Sequence, residues 1–421
     1  MGGYKKEERQ TKVKRAIHIM IIMSLLLCTG CWDKKEIEQW GYVLGIAVDP
    51  PTLGKGTGSK EGEEGAAPAG FRQMDISADK PTYDMTIQLP IIKESPSLAA
   101  SGGGGGPESG SPSKTWQITQ TGDTFLSMER EIESRTSLTL FYGHLQVLVI
   151  SDSVARDGLD KIADFFLRHR EIRPKVDIYI AEGSAKKILD VSPKIEDHSA
   201  TYLKQLLMNS DRSSRIVHKA DLRATMNFIR AGNDFVLPKV EANKEEIKIK
   251  GGAIFKKAKM VGWADEMDIE SINFIRDLYR GGVIVGDRPG DEPGLISMEV
   301  TKSKGKIKPI ITGDQVSFDI FIKIQGEYDG QIGFLSDKQA DKAYMDKCEK
   351  EFTKVVREQC NRTIKKMQEE YKADVFQLNK ILRTSKPAYW EEIKEDWDEI
   401  YPDVKINLDV EVKLKQLGNF K

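Results

Sequence analysis

"DKQADKAYMDKCEKEFTKVVREQCNRTIKKMQEEYKADVF", residues 337–376, decides the fold of the C-terminal half. Met345, Cys348, Phe352, Val355, Ile364, Met367 and Tyr371 recur at helical spacing, so the stretch reads as one long amphipathic helix. Pro387 breaks the pattern downstream, and a shorter helix is expected over 388–400. "VKINLDVEVKL", residues 404–414, then alternates as a final strand. Ahead of the long helix, "GLISMEVTKSKGKIKPIITGDQVSFDIFIKIQGEYDG", residues 294–330, shows strand alternation interrupted by Gly and Asp turns. A sheet closed by a C-terminal strand, with helices inserted before it, is an α+β domain.

The same helix carries Cys348 and Cys360. Twelve residues of helix span about 18 Å, and a disulfide needs Cα atoms within roughly 7 Å. The two are therefore expected as unpaired core thiols. Trp390 and Trp397 lie seven apart on the expected shorter helix, hence on one face, which suits burial in the core or docking of a partner.

Working toward the N-terminus, residues 268–279 and 197–230 read as helix, and "IKIKGGAIFKKAKMVGWA", residues 247–264, as a hairpin. "VDIYIA" and "HLQVLVIS" (residues 144–151) are buried strands, with an amphipathic helix over "RDGLDKIADFFLRHREIR", residues 156–173, between them. "YVLGIAVD", residues 42–49, "YDMTIQLPII", residues 83–92, and "TWQITQ" are three strands of one sheet. The segments joining them, 50–73 and 93–114, are rich in Gly, Pro, Ser and Glu and cannot bury a core. The glycine run in the second lacks the Gly-Lys-Ser/Thr ending of a phosphate loop.

The expected organisation is a signal peptide over 1–30 and an N-terminal α/β domain over 31–195 with inserts at 50–73 and 93–114. A middle domain over 196–295 and a C-terminal α+β domain over 296–421 follow, making an α+β, three-domain chain with mixed sheets.

The signal is read from "AIHIMIIMSLLLC", residues 16–28, an apolar run behind six basic residues. It is too short for a comfortable membrane span of roughly 20 residues, and no other apolar run of that length exists in the chain. The small pair Thr29-Gly30 precedes Cys31, whereas Leu26 and Leu27 precede Cys28. Cleavage is therefore expected after Gly30, with Cys31 as the new N-terminus. The site looks like a bacterial lipobox, in which the thiol of Cys31 receives a diacylglycerol anchor; the third residue before the cut, usually Leu, is Cys28 here.

Of the 421 residues 31% are charged, and the formal net charge is −1. Residues 1–30 hold a net +4, leaving −5 on the remainder, so no electrostatic case for nucleic acid exists. His18, His144, His169, His198 and His218 lie at least ten residues apart, with no metal-ligand spacing. There is no G-x-S-x-G elbow. Arg168-His169-Arg170-Glu171 suggests acid–base chemistry at most weakly, being a charged helix end suited to solvation or ion pairing. No catalytic residue, metal or cofactor is expected.

Assembled, the segments resemble the Ger(x)C lipoprotein family, the C subunits of nutrient germinant receptors in endospore-forming bacteria. Cys31, Trp32 and Asp33 match its opening. His144, Gly158, Arg168, Glu171 and Arg173 match an N-terminal block, where His169 replaces a common acidic residue. Gln368, Asp374, Pro387, Trp390, Trp397 and Gly418 match its C-terminal block. The resemblance implies a three-domain, non-enzymatic lipoprotein on the extracytoplasmic face of the inner spore membrane, working with polytopic A and B subunits. The alternative is a lipid-anchored solute-binding protein, which requires two similar α/β lobes around a cleft. A tethered hydrolase would need a carboxylate pair or metal constellation, which the sequence does not offer.

Overall fold

A computed structural model describes residues 39–52, 82–91, 114–218, 221–243, 245–290, 293–332 and 342–415, with 14, 15, 17, 18 and 20. Cys31, most of the signal segment, most of both expected inserts and Gly418 lie outside the described residues.

The first unit opens with Trp40–Tyr42 (β1), Gly45–Asp49 (β2), Tyr83–Pro90 (β3) and Thr115–Gly122 (β4). Phe125–Glu133 (α1), Thr139–Phe141 (β5), Val147–Ser151 (β6), Asp152–Asp157 (α2) and Asp160–Arg168 (α3) follow. Asp177–Ala181 (β7), Ala185–Leu189 (α4), Ser199–Met208 (α5) and Leu222–Arg230 (α6) lead to Phe235–Ala242 (β8), Ile247–Lys256 (β9) and Lys259–Ala264 (β10). Eight strands form one sheet in the order β10-β9-β8-β7-β6-β2-β3-β4, parallel from β2 through β8 and antiparallel at both edges. β1 and β5 pair separately.

β2, β6 and β7 are buried at every position because helices cover both sides of this sheet. Ile46, Leu148, Ile150 and Ile178 face a core closed by Phe125, Phe166 and Leu222 of α1, α3 and α6. The alternate residues Ala47, Val149 and Tyr179 face a second core closed by Leu189 and Leu203 of α4 and α5. This explains the unbroken apolar runs in the sequence.

Residues 265–415 contribute Glu266–Ile275 (α7), Val283–Asp287 (β11), Leu295–Thr312 (β12), Gln315–Ile332 (β13) and Lys342–Lys365 (α8). Leu378–Ser385 (α9), Pro387–Ile393 (α10), Trp397–Ile400 (α11) and Lys405–Lys415 (β14) complete the chain. The sheet order is β11-β12-β13-β14, and β14 returns parallel to β13. α7 and α8 pack on one face, where Phe318, Ile320 and Ile322 meet Cys348, Phe352 and Val356. A lysine-rich run on β12, Lys302, Lys304, Lys306 and Lys308, is exposed on the other face. A long helix does precede the final strand, but α8 ends at Lys365 with one π turn over Lys366–Glu370, so Tyr371 to Phe376 lie beyond it; the fold is α+β with mixed sheets.

Residues 196–295, expected as a middle domain, contribute to both units: β8–β10 extend the first sheet, while α7 and β11 enter the second core. α7 is the joint. Asp265 and Asp268 form a reciprocal capping box at its start. Asp268 also accepts from Lys366 Nζ at 2.7 Å and Thr363 Oγ1 at 3.0 Å, tying α7 to the end of α8.

Four expected elements differ in detail. The helix over 156–173 is two helices, because Gly158 adopts φ +129°, a backbone conformation that L side chains rarely adopt. The helix over 197–230 is α5 and α6; the polar run between them is pinned instead by Ser214, whose Oγ accepts from Arg280 N and Gly281 N. The helix over 388–400 is interrupted after Ile393, so Trp390 and Trp397 lie on different short helices. On α8 the inward residue is Val356, with Val355 half-buried.

Cys348 and Cys360 are both on α8, both buried and both free. Burial pushes the Cys360 thiol up to about 12.

Candidate functional site

The polar center of the molecule lies where the loop before β8 meets the loop before α9. Neither loop is regular: Gly232 before β8 has φ +64°, and before α9 Lys372 has φ +49° and Gln377 φ +63°. Asp374, 2% exposed, caps α9 through Leu378 N–H at 2.9 Å and Asn379 N–H at 2.8 Å. Its own N–H donates to Asp234 Oδ2 at 2.7 Å. The other Asp234 oxygen accepts from Lys257 N–H at 2.8 Å, in the β9–β10 turn. Gln377 Nε2 donates to Asp234 O at 2.6 Å, and Asn379 Nδ2 to Asn233 Oδ1 at 2.9 Å. Side chain-to-backbone bonds thus stitch the two units together.

Burial pushes the Asp374 carboxyl up to about 6; the two α9 N–H groups hold it lower than burial alone would, and the Asp234 charge adds to the rise. Asp234 is raised for the same reason, opposed by the Lys257 and Asp374 N–H groups.

Trp397 packs beside this network, 5% exposed, with ring centroids 5.7 Å from Trp390, 6.1 Å from Tyr401 and 6.4 Å from Phe318. Its indole N–H adds a weak favourable contact to Asp374 without closing a hydrogen bond. Trp390 is half-buried. Both line a cleft of ≈ 300 Å³ between the units, with Asn233, Lys257, Lys380 and Asp398 among its walls. Lys257 Nζ lies 2.7 Å from Asp398 across it. The break after α10 sets the two tryptophans in different surroundings: the Trp397 ring enters the core and the Trp390 ring stands at the rim.

The described residues of the C-terminal block lie at or beside this junction. Gln368 Nε2 donates to Tyr401 O and Val404 O at 3.1 and 2.8 Å, fixing the turn into β14. Pro387 is the first residue of α10, where its missing N–H leaves no bond unmade. The N-terminal block lies elsewhere. His169 Nε2 is 3.5 Å from Glu129 Oε2, and Glu171 accepts from Tyr142 N–H at 2.9 Å. Arg168 pairs with Asp164 at 2.7 Å in solvent. These contacts tie α1 and α3 to the turn after β5.

Among the described residues no three His, Cys, Asp or Glu side chains gather as a metal site, and no helix is long and apolar enough to cross a membrane. Asp234, Asn233, Lys257 and Asn379 were not singled out by the sequence. "AGNDF" before β8 carries only a turn signal, and its partners at the start of α9 lie 140 residues or more away.

The fold and this junction define a class: an α+β protein of two unlike units, stitched by buried carboxylates. Two family models match it, the spore germination protein N-terminal domain over residues 33–242 and the "Spore germination B3/ GerAC like, C-terminal" domain over 250–418. The chain belongs to this family of spore germination proteins. It is 29% identical to spore germination protein YndF of Bacillus subtilis, over 98% of this chain and 99% of that one. It is 24% identical to spore germination protein B3 of the same organism, over 97% and 99%. The crystal structure of the GerBC protein shares the fold, with a TM-score of 0.54 at 22% identity, over 82% of this chain and 99% of that one.

Proposed function

We propose that this chain is the lipid-anchored C subunit of a spore nutrient germinant receptor, needed for the receptor to assemble or signal. The observation that carries the reading is the pair of family matches spanning 33–242 and 250–418. Cys31 after Thr29-Gly30 supplies the anchor, placing the protein on the extracytoplasmic face of the inner spore membrane. A chain held at the membrane by lipid alone does not itself conduct ions and acts by contact; the partners we assign to it are the polytopic A and B subunits, and its role is non-enzymatic. Trp390, at the rim of the junction cleft, is the residue proposed to meet them; Trp397 supports it from the core. The solute-binding alternative needs two similar lobes, and the eight-stranded and four-stranded sheets described above are unlike.

Labelled fatty acid tests the anchor. Cys31→Ala should abolish incorporation and release the protein from membranes, while Cys28→Ser should leave both unchanged. Continued labelling of the Cys31→Ala protein would refute it.

A further inference from the structure

Arg276 follows the last residue of α7 and lies half-buried between α7, β12 and α9. Burial presses its guanidinium toward the neutral form, and the charge that opposes this is Asp374. Asp374 forms no ion pair with it; the Asp374 oxygens accept N–H groups of α9 instead. Among the described residues the guanidinium closes no ion pair and donates no hydrogen bond. An arginine stays charged at ordinary pH, and a half-buried cation on a partly apolar wall gains from an anion that replaces the water it has lost. The position therefore suits an anion.

Space for one exists. Arg276 lines a cavity of ≈ 440 Å³, with Ile275, Ile307, Phe376 and Ile381 as apolar walls and Lys380 as a second positive charge. That volume falls within the roughly 300–1,000 Å³ of small-molecule sites. The carboxylate on the wall, Asp277, is exposed and already accepts from Gly305 N–H at 2.9 Å. Gly305 is what lets β12 close on the end of α7: a Cβ there would sit 2.3 Å from Phe274 O.

We propose that this cavity binds a monocarboxylate with a compact apolar body. The carboxylate pairs with Arg276 in the two-pronged geometry guanidinium favours, and the body lies against Ile275, Ile307, Phe376 and Ile381. Two sources supply this chemistry, a free organic acid and the C-terminal residue of a peptide chain.

The test is calorimetry on the full-length protein in detergent, with isovalerate, isovaleramide, and a tetrapeptide ending in leucine as free acid and as amide. At least one acid should bind, its amide at least tenfold more weakly. Isovalerate binding assigns a free acid; binding of the peptide acid alone assigns a chain terminus. Arg276→Gln should weaken binding at least tenfold, with a ligand-free melting temperature unchanged or higher. Thr384→Trp, at an exposed wall position, should block the cavity with Arg276 intact. The proposal is overturned by equal binding of acid and amide, by no binding of either acid, by undiminished binding to Thr384→Trp, or by a lowered melting temperature of Arg276→Gln.

Discussion

The two sheets solve the same burial problem in different ways. In β6, Val149 and Ile150 are neighbours, and both are buried, each in a different core. In β13, Ile322 is buried while its neighbour Lys323 is exposed and pairs with Glu411 at 3.0 Å. The first sheet is covered on both faces by helices. The second is covered on one, and its alternation is the record of that. A strand's sequence therefore reports how many layers lie over it.

Alanine substitutions at these four positions sharpen or break the contrast. Ile150→Ala and Ile322→Ala should each destabilise by about 2–5 kcal/mol in denaturant titrations. Val149→Ala should cost roughly 2 kcal/mol, because its side also lacks solvent. Lys323→Ala should stay within about 0.5 kcal/mol. A large Lys323 effect, or a negligible Val149 effect, would mean that the layers are misassigned.

The stitch between the units gives the next effect. Asp374→Ala leaves two α9 N–H groups without their acceptor and should cost about 1–3 kcal/mol. Its pH dependence has a definite sign. The folded carboxyl titrates near 6, above the ordinary value of 3.8, so the folded chain holds this proton longer than the unfolded one. Stability from this group is therefore greatest below pH 4 and falls as pH rises toward 6. Melting curves between pH 4 and 7 should show that slope flattened in Asp374→Asn. An unchanged slope would assign the titration to Asp234, whose carboxyl is raised in the same direction.

Much of this was legible because it is local. The stripe through Met345, Cys348 and Phe352 gave α8, and the continuous runs gave β2, β6 and β7. Boundaries were lost where a single backbone angle decides, as at Gly158 with φ +129°. The junction was hidden for another reason. Asp234 and Asp374 meet across 140 residues through bonds to backbone N–H groups, which leave no spacing signature. Asp374 was visible as part of a family block but not as a partner of Asp234. Arg276 was silent because what distinguishes it is the lack of a partner.

The central claim, that this chain is a receptor subunit acting by contact, is tested most directly by the germination of spores that lack it. In a strain without a paralogue, such spores should fail to germinate with the cognate nutrient and still germinate with a stimulus that bypasses receptors. Normal nutrient germination of those spores would contradict the account.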